Sequence, residues 1–514
     1  MHPCPIKRFA FFALLLLAFN TSLGATPVPA ALDSLVLAGK EELYNLQFQE
    51  ARKTFAAARQ QFPDYPHGYV FQAYLSAMYF GLDESNDSLA AHLKKQIEIA
   101  LDQSRDFQSR FPDNPDGPFY IAITSGIEAL YHIIERNFLS AYWSGRRAKK
   151  SLEKVIEQDS TYYDAYIGLG LFHYYADLLP GVVKFFAGLL GFEGDRDGGK
   201  KEIELAGRKG RYFRVEGDFI SHGISYFLEG AQSEGLRGIN RLYQRYPRNY
   251  GFGLIVAYHY RKSGSARRCI EYCREMTAPI DEDLPQLINM KYYNMAISYF
   301  NLNAFETSDS LLNVLEKLPT RKSRFYQAAI SYYRGYMADL RFERRKALAY
   351  YNRIPDTKKA RYWYLISRPN IKYAADSLTL RYQKAYNLLL THRTSDALLE
   401  ALALKKVVDK GITHPNPDFG SKIYDLLAYT YYLKRDYPQA RAIYEVALPR
   451  LERMQDPFDR AWMYMHYQRC LRELKEYDLA EAMLNRVDDI DESYTKLIVE
   501  RERYILRKRR EGSG

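Results

Sequence analysis

Apolar residues recur along residues 421–450 with the spacing of two short helices. Tyr424, Leu427, Ala428 and Tyr431 stand at i, i+3, i+4 and i+7, one face of a first helix. Arg435-Asp436-Tyr437-Pro438 reads as a turn, since proline suits the first turn of the helix that follows. Ala440, Tyr444 and Ala447 then turn an apolar face back toward the first helix. Ala428 and Ala440 are small where the two helices must cross closely. Such a hairpin cannot bury its apolar face alone, so it needs copies of itself.

Copies are present. Tyr292, Met295, Ala296, Tyr299, Phe305, Ser308, Leu312 and Leu315 occupy the same places, as do Tyr464, Tyr467, Leu471, Tyr477, Ala480, Leu484 and Val487. Gly39, Phe48, Ala51, Phe55, Ala58 and Pro63 fit near the start, and Gly335, Ala347 and Tyr351 form a partial copy. Phe62-Pro63, Phe111-Pro112 and Tyr246-Pro247 end second helices. A period of about 34 residues with a small–large–small rhythm resembles the tetratricopeptide repeat. The resemblance implies an all-α, right-handed helical-hairpin solenoid of about ten helix pairs.

In chain order, residues 1–24 read as a secretory signal peptide: Lys7-Arg8, an apolar run from Phe9 to Phe19, then Ser22-Leu23-Gly24. A signal anchor is the rival, but the run is short for a bilayer span. Residues 25–30 form a linker, and 31–356 hold the N-terminal and central repeats. Gly81 to Ser88 is polar and reads as a loop. Residues 357–380 form an irregular connector in which Pro369 is expected to break helix. The C-terminal repeats occupy 381–490, with a loop at 411–419. Residues 491–514 form a charged capping helix and tail.

Residues 164–210 depart most from the template. Leu178 to Phe192 is largely apolar but interrupted by Pro180, Gly181, Lys184 and Gly188, which argues against a transmembrane helix. It reads as a buried helix or as a membrane-interface segment. Gly194-x-x-x-x-Gly199-Lys200 almost spells a phosphate loop. Lys201 stands where Ser or Thr should hold magnesium, Asp195 and Asp197 would repel phosphate, and no strand precedes. Asp195 is instead expected to cap a helix starting near Arg196, with the glycines serving the turn.

Gly168, Gly170, Phe172, Leu179-Pro180 and the run Gly191-Phe192-x-Gly194-Asp195-Arg196-x-x-Gly199 resemble a signature of the tetratricopeptide repeat 39 proteins. That family is related to a mitochondrial outer-membrane protein implicated in clearing inclusion bodies. The resemblance covers about fifty residues strongly and implies an all-helical repeat protein with no established catalytic residues. The predicted export signal departs from that family's intracellular setting, so the cellular role is not carried over.

The formal charge is +11, and losing Lys7 and Arg8 leaves +9. Basic clusters such as Arg146-Arg147, Arg344-Arg345-Lys346 and Arg507-Lys508-Arg509-Arg510 are short and set among acidic residues. No continuous basic stripe or nucleic-acid module is present, so nucleic acid is not an expected partner. Of 46 tyrosines, most are expected between helices, where a ring packs and a hydroxyl reaches water. Cys269 and Cys273 stand four apart on a helix face, where a bridge would be strained, so buried free thiols are expected.

No catalytic constellation stands out. Glu128 with His132 and Asp218 with His222 share helix faces but belong to no ligand set. GxSxG is absent. No cofactor and no metal is expected, and the chain is read as non-catalytic. First helices of such repeats commonly line the binding side. On that analogy Lys422, Asp425, Leu426, Tyr429 and Tyr432 face inward, joined by Trp462, Met465, His466, Arg469 and Arg472. Aromatics mixed with cations suit an extended peptide or acidic segment. The competing reading is that additional helices fill this groove. The expected function is an exported scaffold or adaptor for protein or peptide partners in the periplasm or cell envelope. The alternatives are a membrane-surface module using residues 178–192 and, more weakly, an envelope enzyme without a recognisable motif.

Overall fold

The computed structural model describes residues 28–84, 86–135, 137–177, 194–277, 284–357, 359–411, 413–487 and 493–512. The expectations for the signal peptide, for residues 178–192 and for Gly191 and Phe192 lie outside the described residues. Among the described residues there are 24 helices and no strand. The protein is an all-α, tetratricopeptide-type array of helical hairpins. No described helix is long and apolar enough to cross a membrane.

The chain forms two compact units, Met1–Gly81 with Asp87–Asp218, and Leu82–Asn86 with Phe219–Gly514. In the first, α1 (Ala30–Tyr44) pairs with α2 (Phe48–Gln61), and α3 (His67–Leu82) is followed by α4 (Asp87–Arg110). Next come α5 (Asp116–Ile134) with α6 (Phe138–Gln158) and α7 (Ala165–Asp177) with α8 (Arg196–Lys209), before α9 (Arg214–Phe227) begins. The loop expected from Gly81 to Ser88 is shorter than predicted, because helix persists to Leu82 and resumes at Asp87.

The second unit continues with α10 (Gln232–Arg245), then α11 (Tyr250–Lys262) with α12 (Ala266–Glu275), α13 (Pro285–Asn301) with α14 (Phe305–Lys317), and α15 (Arg324–Leu340) with α16 (Arg344–Tyr351). A single helix, α17 (Arg361–Lys372), precedes α18 (Ser377–Leu390) with α19 (Thr394–Asp409), α20 (Phe419–Leu433) with α21 (Tyr437–Leu451), and α22 (Pro457–Glu473) with α23 (Tyr477–Asn485). The last helix is α24 (Ser493–Glu511).

One turn geometry repeats. Leu46, Gly230, Gly264, Asn303, Phe342, His392, Arg435 and Lys475 all have positive φ, and each stands two residues before a second helix. At each of them except Gly230 the next amide bonds back five residues, as in Asp436 N–H to Tyr431 O at 3.0 Å and Glu476 N–H to Leu471 O at 2.9 Å. This is the Schellman arrangement, which satisfies carbonyls left over at a helix C-terminus. Asp436 then caps α21, its carboxylate accepting from Gln439 N–H at 3.3 Å, with Pro438 in the first turn.

Between the helices the small residues permit close approach. Ala428 and Ala440 are both fully buried. A β-carbon on Gly39 would fall 2.3 Å from the Phe55 ring, so that ring occupies the glycine's space. From α18 to α24 one continuous core runs through Ala401, Leu427, Tyr444, Leu471 and Leu506.

The structure also differs from the sequence reading along α17. Pro369 does not end α17, which continues to Lys372. Arg344 donates to the carbonyls of Asn370 at 2.7 Å and Ile371 at 2.5 Å, satisfying acceptors the helix end leaves open. Repeats also touch beyond their nearest neighbours. The Asn387 amide on α18 donates to Phe300 O of α13 at 2.8 Å and to Asn303 Oδ1 at 2.8 Å. The unpaired α17 breaks the hairpin alternation, and α18 packs against α13 and α15. Cys269, Cys273 and Cys470 are free and buried.

Candidate partner-binding site

The residues expected to form a binding face lie on α20 and α22, the first helices of two successive hairpins. Their side chains are already engaged. Asp425 and Leu426 are buried, as are Met465 and His466. His466 Nδ1 lies 3.1 Å from both carboxylate oxygens of Asp425, and the Tyr444 hydroxyl donates to Asp425 Oδ1 at 3.1 Å. Tyr429 stacks on His466 with ring centroids 3.9 Å apart, and on Tyr432 at 5.4 Å. Asp425, Tyr429, Tyr432 and His466 therefore form one bonded and stacked group between hairpins.

Arg469 and Arg472 meet the last helix. Glu502 of α24 accepts from Arg469 at 2.7 and 3.0 Å, from Arg472 at 2.6 Å and from Gln468 at 3.1 Å. Burial alone would raise the Glu502 pKa; the two guanidinium groups overcome it and hold the carboxyl down at about 2. An added helix thus takes the two cations that the sequence reading offered to a partner. Glu502 and Gln468 were missed by that reading. A signal was available: Val499, Glu502 and Leu506 share one helical face, and all three are buried. Trp462 borders a small apolar gap with Phe458, Met465 and Ile498 at the same junction.

Lys422 has a different setting. It lines a cleft with Tyr336 of α15, Asn370 of α17, Tyr373 at the end of α17, Tyr382 of α18, and Asn416 before α20. Its ammonium lies 2.5 Å from Asp459 Oδ2. Burial would lower the Lys422 pKa, but Asp459, Asp456 and Asp418 raise it on balance and keep the ammonium charged. Burial and the neighbouring Asp459 push Asp456 up to about 6. Asp456 also caps α22, accepting from Phe458 N–H at 2.9 Å.

The cleft wall is aromatic. Tyr382 stands against Phe419 at 5.9 Å and Tyr386 at 6.0 Å. Burial, then Tyr386 and Asp425, push its phenol well above the usual tyrosine range, so it remains a neutral hydroxyl. His414 stacks on Phe419 at 3.9 Å and is held by Asp376 at 3.2 Å and Thr379 at 3.1 Å. The Tyr336 hydroxyl donates to Gln383 at 2.9 Å, and that of Tyr373 to Gln455 at 3.2 Å. Side-chain amides, aromatic faces and one ammonium converge on a cavity of about 40 Å³, with chemistry and room for the end of one peptide side chain.

The signature residues of the first unit are structural. Asp195 caps α8, its carboxylate accepting from Gly198 N–H at 2.8 Å, as expected from the sequence. Gly194 precedes the cap. Arg196 is buried with its guanidinium 5.5 Å from the Tyr174 ring. Gly199 does not serve the turn as expected; it lies inside α8 and faces Gly170 of α7. A β-carbon on Gly199 would come within 2.6 Å of Gly170 O, and one on Gly170 within 2.4 Å of Gly199 O.

The first unit also holds a buried ion pair that the sequence reading missed. Lys40 of α1 pairs with Glu216 of α9, and the hydroxyls of Tyr44 and Tyr74 donate to the same carboxylate at 2.6 and 2.7 Å. The Lys40 ammonium lies 4.4 Å from the Phe213 ring centroid and 4.6 Å from that of Tyr74. Glu216 and Phe213 lie more than a hundred residues from Lys40, beyond the reach of any local pattern. Among the described residues, no group of three or more His, Cys, Asp or Glu is placed to hold a metal.

No protein-family model matches the chain, and no curated protein matches it. Solved structures do. The tetratricopeptide repeat domain of P58(IPK) aligns over 83% of this chain and 97% of that one, at 14% identity and a TM-score of 0.21. A human IFIT1 dimer with PPP-AAAA covers 84% and 96%, at 12% identity and 0.36. Yeast Tom70 covers 86% and 89%, at 11% and 0.31. At such identities and scores nothing about ligand or partner passes from them to this chain.

Proposed function

We propose that the protein is an exported, non-catalytic scaffold that binds a peptide segment of a protein partner, one side chain of which enters the small cleft beside Lys422. The convergence of Tyr336 of α15, Tyr373 at the end of α17, Tyr382 of α18 and Lys422 of α20 supports this reading. Aromatic faces take apolar side chains, neutral hydroxyls and amides bond a peptide backbone, and Lys422 takes a carboxylate in competition with Asp459. The apolar run after Lys7-Arg8 supports export to the periplasm or cell envelope. The resemblance to the tetratricopeptide repeat 39 proteins supports a non-catalytic role.

Site-specific photocrosslinking tests the reading in the native host. A photoreactive residue at Tyr382 is expected to give a discrete protein adduct, and one at the exposed Val446 none. No adduct at Tyr382, or the same adducts at both positions, would refute the cleft assignment.

A further inference from the structure

The hairpin of α5 and α6 carries an apolar tip that no described residue covers. Leu130 and Ile133 on the last turns of α5, and Phe138, Leu139 and Trp143 on the first turns of α6, are all more than half exposed. Phe138 and Leu139 reach 66% and 70% exposure. These side chains surround a turn, so they form a projection and not a groove. The same outer face of α6 continues from Leu139 and Trp143 into Arg146 and Lys150, both exposed. Spacings of four, three and four residues keep the four on one face. Apolar groups at the end of a hairpin, an indole among them, followed by cations one and two turns back, match the layering of a lipid surface, acyl chains first and headgroups above.

The tip is fixed from below. Arg147 pairs with Glu128 and donates to the Ser125 hydroxyl at 2.8 Å, while the Ser144 hydroxyl donates to Glu128 at 2.7 Å. These bonds tie α6 to α5 on their inner faces. Asn137 caps α6, accepting from Ser140 N–H at 3.4 Å, and its own amide bonds His132 O at 2.8 Å. Of the nearby acids, Glu128 is taken by Arg147 and Glu153 by Lys149, while Glu135 at the turn itself is exposed. Arg146, its guanidinium 5.8 Å from the Trp143 ring centroid, and Lys150 are both exposed on the outer face, where an anionic surface can reach them.

We propose that the α5–α6 tip is a membrane-surface contact: Leu130, Ile133, Phe138, Leu139 and Trp143 enter the interfacial region of a bilayer, and Arg146 and Lys150 engage anionic headgroups. The proposal is independent of the cleft in the second unit.

Flotation of the purified protein with phosphatidylcholine vesicles, with and without about 30% phosphatidylglycerol, tests it. The full chain is expected to float with the anionic vesicles and to release as salt rises. Leu139→Ser/Trp143→Ser is expected to lower the partition at least about tenfold. Arg146→Glu/Lys150→Glu is expected to remove the preference for anionic vesicles while leaving folding intact by circular dichroism. Trp143 emission should shift to the blue on adding vesicles, a shift absent in Trp143→Phe, since Trp363 is buried and Trp462 is packed half-buried at the junction of α22 with α24. Failure of the parent protein to float overturns the proposal, as does equal flotation of the tip variant. If the parent does not float and Leu139→Ser/Trp143→Ser converts a dimer to a monomer in sedimentation, the tip serves a second copy of the chain and the lipid assignment falls.

Discussion

Glu502 Oε1 lies 2.7 Å from Arg469 Nη2, across the junction of the last helix with the first helix of the preceding hairpin. The carboxylate is 2% exposed, and Arg472 closes on its other oxygen. Without it two guanidinium groups remain at a buried junction with no anion between them. Glu502→Gln is therefore expected to cost about 3 kcal/mol, the usual consequence of breaking a buried pair from one side. Hydrogen exchange of α24 amides reports this directly. Exchange within about 1 kcal/mol of wild type would show that the helix docks by its apolar residues alone.

The same pair sets an acid limit. The Glu502 carboxyl is held at about 2, below its ordinary 4.5, because the arginines outweigh burial. A depressed carboxyl stabilises the fold fully above 4.5, and that contribution is lost as pH falls toward 2. The shift corresponds to roughly 3 kcal/mol. Docking of α24 should weaken between those limits in the wild type and change far less in Glu502→Gln. Parallel pH profiles of α24 exchange in the two proteins would contradict the assignment.

Much of this architecture is legible in the sequence because hairpin packing is local. Ala428, Ala440 and Tyr444 announce their contacts through spacing alone, and Asp195 announces a cap three residues before Gly198. The site is less legible, for a physical reason. Periodicity says which side of a helix is apolar, not which later helix covers it. Arg469 and Arg472 carry the same pattern whether they face solvent or Glu502, thirty residues on. Lys40 likewise looks like an exposed helix cation until Glu216 closes on it. Pro369 shows the converse: a local rule predicted a break, and a distant arginine sustains the helix end.

Gly199 was read as part of a turn, but its position against Gly170 gives it a packing role that substitution can measure. An alanine there places a methyl within 2.6 Å of backbone atoms of α7. Backbone cannot yield as a flexible side chain does, so α7 and α8 must separate. Gly199→Ala is expected to destabilise the first unit by about 2–3 kcal/mol, seen as a lower denaturant midpoint. Gly81, with open space around it, serves as the control and should tolerate alanine.

Phe342 carries a left-handed backbone, φ 63°, at a hairpin turn, and its ring is largely exposed. The conformation costs an L-residue about 1 kcal/mol that glycine does not pay. Phe342→Gly is expected to stabilise the α15–α16 hairpin by a few tenths to about 1 kcal/mol, net of the flexibility glycine adds to the unfolded chain. Phe342→Val should destabilise by more, since a β-branched residue tolerates positive φ least. A higher melting temperature for the valine variant would exclude backbone strain as the controlling factor.

Lys40 and Glu216 make a buried ion pair between helices far apart in the chain, and a double-mutant cycle decides what holds it. Lys40→Met keeps the volume among the rings of Phe213 and Tyr74 but leaves Glu216 with only the two tyrosine hydroxyls. Glu216→Gln leaves the ammonium to the aromatic faces, which hold a cation weakly when no anion is present. Each single variant is expected to lose about 3 kcal/mol. The double variant should lose less than their sum by about 1–3 kcal/mol, because removing both charges removes the uncompensated one. Losses that simply add would mean the aromatic cage, and not the carboxylate, retains Lys40. In that case Phe213→Leu should reproduce the Lys40→Met defect, while Tyr44→Phe and Tyr74→Phe leave it unchanged.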